Sequence, residues 1–239
     1  MVFAAGLGTR LKPITDSLPK ALVPVCGQPL LWHVLQKLRA AGYDEAVVNV
    51  HHFADKIRAY LDSRDFGMKI EISDETDLLR ETGGAIKHAR KLLEGESFLV
   101  HNVDILSDLD LEWFRGQARP ESLATLLVSE RKTQRYFLFD NDMRLVGWTN
   151  LATGEVRSPW PGLKAEECRR YACAGIHQIS PAVFTLFDEY GDPERFPIVD
   201  FYLQACRDHE IRGVAPENLR IVDVGKLDTL QKAEEMVQL

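Results

Sequence analysis

Two hydrophobic patterns alternate along the first hundred positions: short continuous apolar runs, and stripes at helical spacing. Residues 1–5 and 46–50 are compact apolar runs of the kind a strand buried on both faces requires; 98–101 enters the core as a strand, and 69–72 reads as another strand. Between them Leu30, Leu31, Val34, Leu35 and Leu38 recur every three or four positions until Gly42 stops the helix. Residues 54–61 and 85–93 carry shorter helical patterns. Strands alternating with helices in this way predict βαβ units. The expected fold is therefore α/β, with a Rossmann-like mixed, mainly parallel sheet flanked by helices.

The rhythm changes after residue 120. Residues 124–129, 136–139 and 145–148 are strand-like, and Asp140-Asn141-Asp142 supplies a turn between the last two, which predicts an antiparallel excursion from the parallel sheet. Residues 151–169 read as irregular, because Pro159-Trp160-Pro161-Gly162 suits neither helix nor strand. Residues 171–179 return to the sheet, 198–207 form an amphipathic helix, and 221–224 make a last short strand before a helix through Met236. Without a repeat, a low-complexity run or a linker, residues 1–239 are expected to form a single domain with two unequal lobes.

Composition narrows the partners rather than the fold. With 45% hydrophobic and 27% charged residues and no run approaching a membrane span, the expectation is a soluble protein with no membrane partner. A net charge of -7 argues against nucleic acid but leaves room for one mononucleotide, which needs only a few well-placed cations. Cys26, Cys168, Cys173 and Cys206 form no CxxC pair, and Cys168, Cys173 and His177 match no common zinc spacing, so free thiols in a reducing cytoplasm are expected. The first strand runs directly into a loop, so no signal peptide is expected either.

That loop, residues 6–24, holds the most chemistry. Ligands bind at the carboxyl ends of strands in a parallel sheet, and Gly6-Leu7-Gly8-Thr9-Arg10 sits at such an end. Two glycines let backbone N–H groups approach phosphate oxygens; Arg10 offers a planar fork and Lys20 a compact point charge. Pro13, Pro19 and Pro24 stiffen the segment that presents them. A dinucleotide fingerprint fails, because its third glycine is replaced by Leu11, and the Walker A pattern is absent from the chain.

The whole run GLGTRLKPITDSLPKALVPVCGQPL resembles the signature of the sugar-1-phosphate nucleotidyltransferases, roughly GxGTRLxPLTxxxPKxLVPVxGxP. The resemblance continues through Glu81-Thr82-Gly83-Gly84, Asn102-Val103-Asp104, Ala174-Gly175-Ile176 and Val222-Asp223-Val224-Gly225. The chain is similar to the short, single-domain bacterial members, such as N-acetylmuramate 1-phosphate uridylyltransferases and mannose 1-phosphate guanylyltransferases. At 239 residues, no C-terminal acyltransferase or β-helix domain of the kind larger relatives carry is expected.

The resemblance implies the nucleotide-diphospho-sugar transferase fold, with a nucleotide-binding part at about residues 1–120 and a sugar-phosphate-binding part at about 121–239. It implies Mg²⁺ as cofactor and a nucleoside triphosphate and a sugar 1-phosphate as substrates. Arg10 and Lys20 take the catalytic positions. Ala4, Ala5, Gly6, Leu7, Gly8, Thr9, Gly83 and Asn102 take nucleotide-binding positions, and Gly175 faces the sugar phosphate. Asp104 and Asp223, at the ends of strands and expected on one edge of the sheet, take the metal positions.

Val103 stands where the family usually has Gly; on a strand its side chain should point away from Asn102 and Asp104, which preserves the metal role. His51 and His52 follow the second strand and read as satisfied or solvent-facing, while Trp148 and Trp160 divide between core packing and a sugar pocket. Two alternatives remain at this level: a CTP-dependent cytidylyltransferase acting on an amino-alcohol phosphate such as phosphocholine, and a non-catalytic nucleotide or sugar-phosphate sensor. The base, the sugar and the oligomeric state are not legible in the sequence.

Overall fold

Burying both faces of the apolar runs generates a parallel sheet in the computed structural model, which describes residues 1–237. The chain divides into two compact units made of interleaved segments: Met1–Arg80, Val100–Glu112 and the segment from Leu219 form one, and Glu81–Leu99 with Trp113–Asn218 form the other.

At the centre of the first unit lies the strand Val2–Phe3. Val2 pairs in parallel with Val48 and His101, and Phe3 with Asn49 and Asn102. Glu45–Val50 continues outward to Lys69–Asp74, also in parallel. The helix Leu30–Ala40 buries the five residues its spacing selected, and Gly42 follows it with φ +81°. Ala54–Asp62 is a second helix, with Ala54, Ile57 and Leu61 turned inward.

The late strand departs from expectation. Ile221–Asp223 does not join the parallel sheet; it pairs antiparallel with Ile105–Ser107 in a separate two-stranded ribbon, with Asp223 opposite Ile105. All three of its residues are half-buried, whereas a central parallel strand must be apolar on both faces. Asp223 is consequently not on the edge of the parallel sheet.

The second unit carries a mixed sheet. Its longest strand, Arg169–Ile179, pairs antiparallel with Ala124–Ser129 along one stretch and with Arg135–Phe139 along another. Arg135–Phe139 and Leu145–Asn150 form the hairpin that the Asp-Asn-Asp turn predicted. Ile211–Val214 adds a parallel strand to Ala124–Ser129, and Glu155–Arg157 forms a strand inside the stretch expected to be irregular. That piece is three residues long and two of them are exposed, so no hydrophobic alternation marks it. The helices Leu111–Gly116 and Ala182–Glu189 had no sequence reading, the first being too short for a clear period.

In the same unit a helix begins at Glu81, four residues before the periodic pattern. Gly83 and Gly84 therefore lie in its first turn, despite their poor helix propensity. Tertiary packing overrides that preference. Both N–H groups donate to the carbonyl of Phe196, at 2.9 and 3.1 Å, and the Thr82 hydroxyl accepts from the N–H of Ile198 at 2.9 Å. Ile198 opens the helix Ile198–Ala205, whose Phe201 meets Phe187, itself stacked edge-on to Phe196.

Candidate active site

The loop after the first strand is held by short turns rather than by helix. Residues 9–11, 14–16 and 20–22 each make one 3₁₀ turn, and Leu11, fully buried, anchors the first. Gly8 adopts φ +64°, and its carbonyl accepts from the Thr15 hydroxyl at 2.9 Å. A Cβ on Gly8 would stand 3.0 Å from both Lys20 Cβ and Thr15 Cγ2. Glycine at that position thus lets the loop close on the stem of Lys20. Gly6, Leu7, Thr9 and Arg10 stay exposed, on the accessible side of the turn.

Lys20 is buried, and its ammonium is ion-paired with Asp104. Asp104 lies in the turn that joins Phe98–Asn102 to Ile105–Ser107, and its carbonyl accepts the Val224 N–H at 2.8 Å. That contact and the pairing of Ile105 with Asp223 bring the second aspartate beside the first. Val103 is buried while Asn102 and Asp104 are half-buried, so the expected alternation of side chains holds. Gly225 completes the corner: a Cβ there would lie 2.7 Å from Asp223 Oδ1 and 2.9 Å from an Arg10 guanidinium nitrogen. The structure therefore gathers Arg10, Lys20, Asp104 and Asp223 within the first unit.

This donor set suits a hard cation. Asp104 and Asp223 offer oxygen ligands only, and among the described residues no group of three His, Cys, Asp or Glu could hold a metal by protein ligands alone. Mg²⁺ characteristically takes one or two carboxylates and completes its shell with water and substrate phosphates, so the pair fits it.

Two further side chains set the site's frame and escaped the sequence reading. Asn49 Oδ1 accepts the N–H groups of Ala4 and Ala5 at 2.7 and 3.3 Å, and Asn49 Nδ2 donates to the buried Glu75 at 2.8 Å. The backbone N–H groups of Ala4 and Ala5 are thus committed within the protein. A polar residue inside the apolar run 46–50 was the available signal. His101 lies beneath, with its Nδ1 2.8 Å from the Asn102 carbonyl; burial lowers its pKa to about 4, so it is neutral and donates from Nδ1.

Gly83 and Gly175 belong to the second unit. The Gly83 N–H is taken by Phe196, whose ring would lie 2.3 Å from a Cβ at that position. Gly175 has φ +72° and sits where the pairing of Arg169–Ile179 with Ala124–Ser129 slips between Cys173 and His177, a β-bulge. Cys173 and His177 meet at 3.4 Å and Tyr202 closes on the other ring nitrogen at 3.1 Å, whereas Cys168 bonds to the Lys164 carbonyl. His51 bonds to the Glu75 carbonyl at 2.6 Å, and His52 packs on Phe53. Trp148 is half-buried under Arg157, while Trp160 is exposed.

A glycine loop on a parallel strand, two cations and two carboxylates define a class that handles phosphate esters, and comparison with known proteins is specific about which. The nucleotidyl transferase family model matches residues 1–137, and the chain belongs to that family. It is 34% identical over 230 residues to an N-acetylmuramate alpha-1-phosphate uridylyltransferase of Caulobacter vibrioides, covering 92% of this chain and 88% of the relative. It is 43% identical over 112 residues to the protein of the same name from Neisseria meningitidis serogroup B, covering 46% of this chain and 48% of that one. Among solved structures it is similar to HddC of Yersinia pseudotuberculosis complexed with GMP-PN, with a TM-score of 0.78 at 22% identity over 99% of this chain and 97% of that one. The fold is that of the nucleotide-diphospho-sugar transferases.

Proposed function

We propose that this chain joins a nucleoside triphosphate to a sugar 1-phosphate, with UTP as donor and N-acetylmuramate 1-phosphate as acceptor, releasing pyrophosphate. The gathering of Arg10, Lys20, Asp104 and Asp223 around residues 6–10 carries the reaction class. The two uridylyltransferase relatives support the choice of base and sugar. In the reaction a bond forms from an acceptor phosphate oxygen to the α-phosphorus as the bond to the bridging oxygen of the departing pyrophosphate breaks. The attacking oxygen is already ionised at neutral pH, so no general base is required. The chain's task is to align two anions and neutralise their charge.

Lys20 supplies a positive charge at the α-phosphate, where charge builds, and Arg10 holds the departing phosphates. Asp104 and Asp223 would hold Mg²⁺, which would supply positive charge to offset that of the phosphates. Residues 4–9 and Asn102 line the nucleotide, with Gly83 beside the base and Gly175 toward the sugar phosphate. The cytoplasm, where nucleoside triphosphates are made, is the compartment that suits such a donor. Assay of pyrophosphate release with Mg²⁺ over the four triphosphates and a panel of sugar 1-phosphates tests the reading. The highest kcat/KM is expected for UTP with N-acetylmuramate 1-phosphate. Preference for GTP with a mannose or heptose 1-phosphate would replace that pair, and absence of turnover with every pair would leave a sensor.

A further inference from the structure

Arg119, Arg144 and Arg212 converge on an open hollow of about 520 Å³ in the second unit, which shares no residue with the loop site. Two carboxylates, Glu210 and Asp142, also line it, so three guanidiniums against two acids leave it one positive charge in a chain of net charge -7. The three arginines stand 4.0, 3.7 and 3.9 Å from Glu210, too far for hydrogen bonds. Glu210 takes its short bond from the Ser122 hydroxyl instead, at 2.6 Å. The arginine forks are gathered by this acid without being satisfied by it.

The backbone enforces the arrangement. Arg144 and Arg212 face one another across an antiparallel bridge, which sets two like charges side by side with Glu210 at 3.7 and 3.9 Å as their shared counter-charge. The Gly213 N–H donates to the Met143 carbonyl at 2.9 Å, and Asp140 accepts the Arg144 N–H at 2.9 Å. Met143, at φ +60°, is the left-handed residue that closes this hairpin turn, with its N–H donating to the Asp140 carbonyl at 3.2 Å and the Asp140 N–H to the Arg144 carbonyl at 3.0 Å. The turn thereby fixes Arg144 beside Arg212.

We propose that this hollow binds a phosphoryl oxyanion, gripped by the forks of Arg144 and Arg212 with Arg119 at the rim. The group belongs either to a free inorganic phosphate or pyrophosphate, or to the phosphates of a nucleotide.

Calorimetric titration of inorganic pyrophosphate without divalent metal tests this on the full chain, on Lys20→Gln, and on Lys20→Gln combined with Arg144→Gln and Arg212→Gln. Lys20→Gln, which weakens the loop site, is expected to keep saturable binding, and adding the two arginine substitutions should weaken that remainder by about tenfold or more. Unchanged affinity after those substitutions, or no saturable binding to Lys20→Gln, overturns the proposal. Repeating the titration with orthophosphate and with UDP assigns the source from the part of the affinity that the two arginine substitutions remove: a larger part for UDP indicates a nucleotide, an equal part a free anion. If the combined variant does not fold, the exposed Arg144→Gln in the Lys20→Gln background repeats the test, with the same loss expected and the same failure decisive.

Discussion

Lys20 joins two tasks at one atom: its ammonium pairs with Asp104, and its Cβ is the wall against which Gly8 closes. Lys20→Ala keeps the wall and removes the charge, so kcat should fall by about 10²–10³-fold with the fold intact by circular dichroism. Near-normal turnover would remove Lys20 from the mechanism. Gly225 makes the complementary case. Its missing side chain leaves space that Asp223 and Arg10 occupy, and both intruding atoms are the ends of side chains able to shift. Gly225→Ala should therefore change the urea midpoint little while lowering kcat/KM by about 10²-fold through misplacement of both groups. A loss of stability matching the loss of activity would make Gly225 a packing residue instead. Arg10 and Lys20 were legible in the sequence because one motif holds both at short spacing, whereas Asp104 and Asp223 lie far along the chain and were named only through the family resemblance. Asn49 and Glu75 were not legible, because they meet only once the strand Glu45–Val50 lies beside Lys69–Asp74, which Glu75 directly follows.

At the level of elements, the helix beginning at Glu81 shows what local pattern does not reach. Read alone, its paired glycines mark a turn; the carbonyl and ring of Phe196, more than a hundred positions later, convert them to a helical first turn. Gly83→Ala places a methyl within the Phe196 ring, and overpacking of this kind costs about 1–3 kcal/mol. Equilibrium urea unfolding checks it, and an unshifted midpoint would mean that Phe196 is free to move. The long helices and the buried strands were readable because their periods extend over enough residues. Glu155–Arg157, Ile211–Val214 and Ile105–Ser107 were not, since strands this short are chosen by their neighbours.

Across the whole molecule, two buried histidines make stability depend on pH. Burial lowers the pKa of both His101 and His177 from 6.5 to about 4. The unfolded chain gains a proton at each as pH falls through 6.5, but the folded chain does so only near 4. Above 6.5 they contribute no slope; between 6.5 and 4 each lowers stability by about 1.4 kcal/mol per pH unit. Denaturation curves from pH 7.5 to 4.5 should show the decline, and His177→Gln should make it shallower. An unchanged slope in that variant would mean that His177 is protonated in the fold.

The sequence by itself determined the βαβ frame of the first unit and the reaction class, since periodic burial and a contiguous motif are both local properties. Only the tertiary structure decided how Asp223 reaches Asp104. A half-buried three-residue strand cannot enter a sheet covered on both faces, so it pairs instead with the strand that follows the first aspartate.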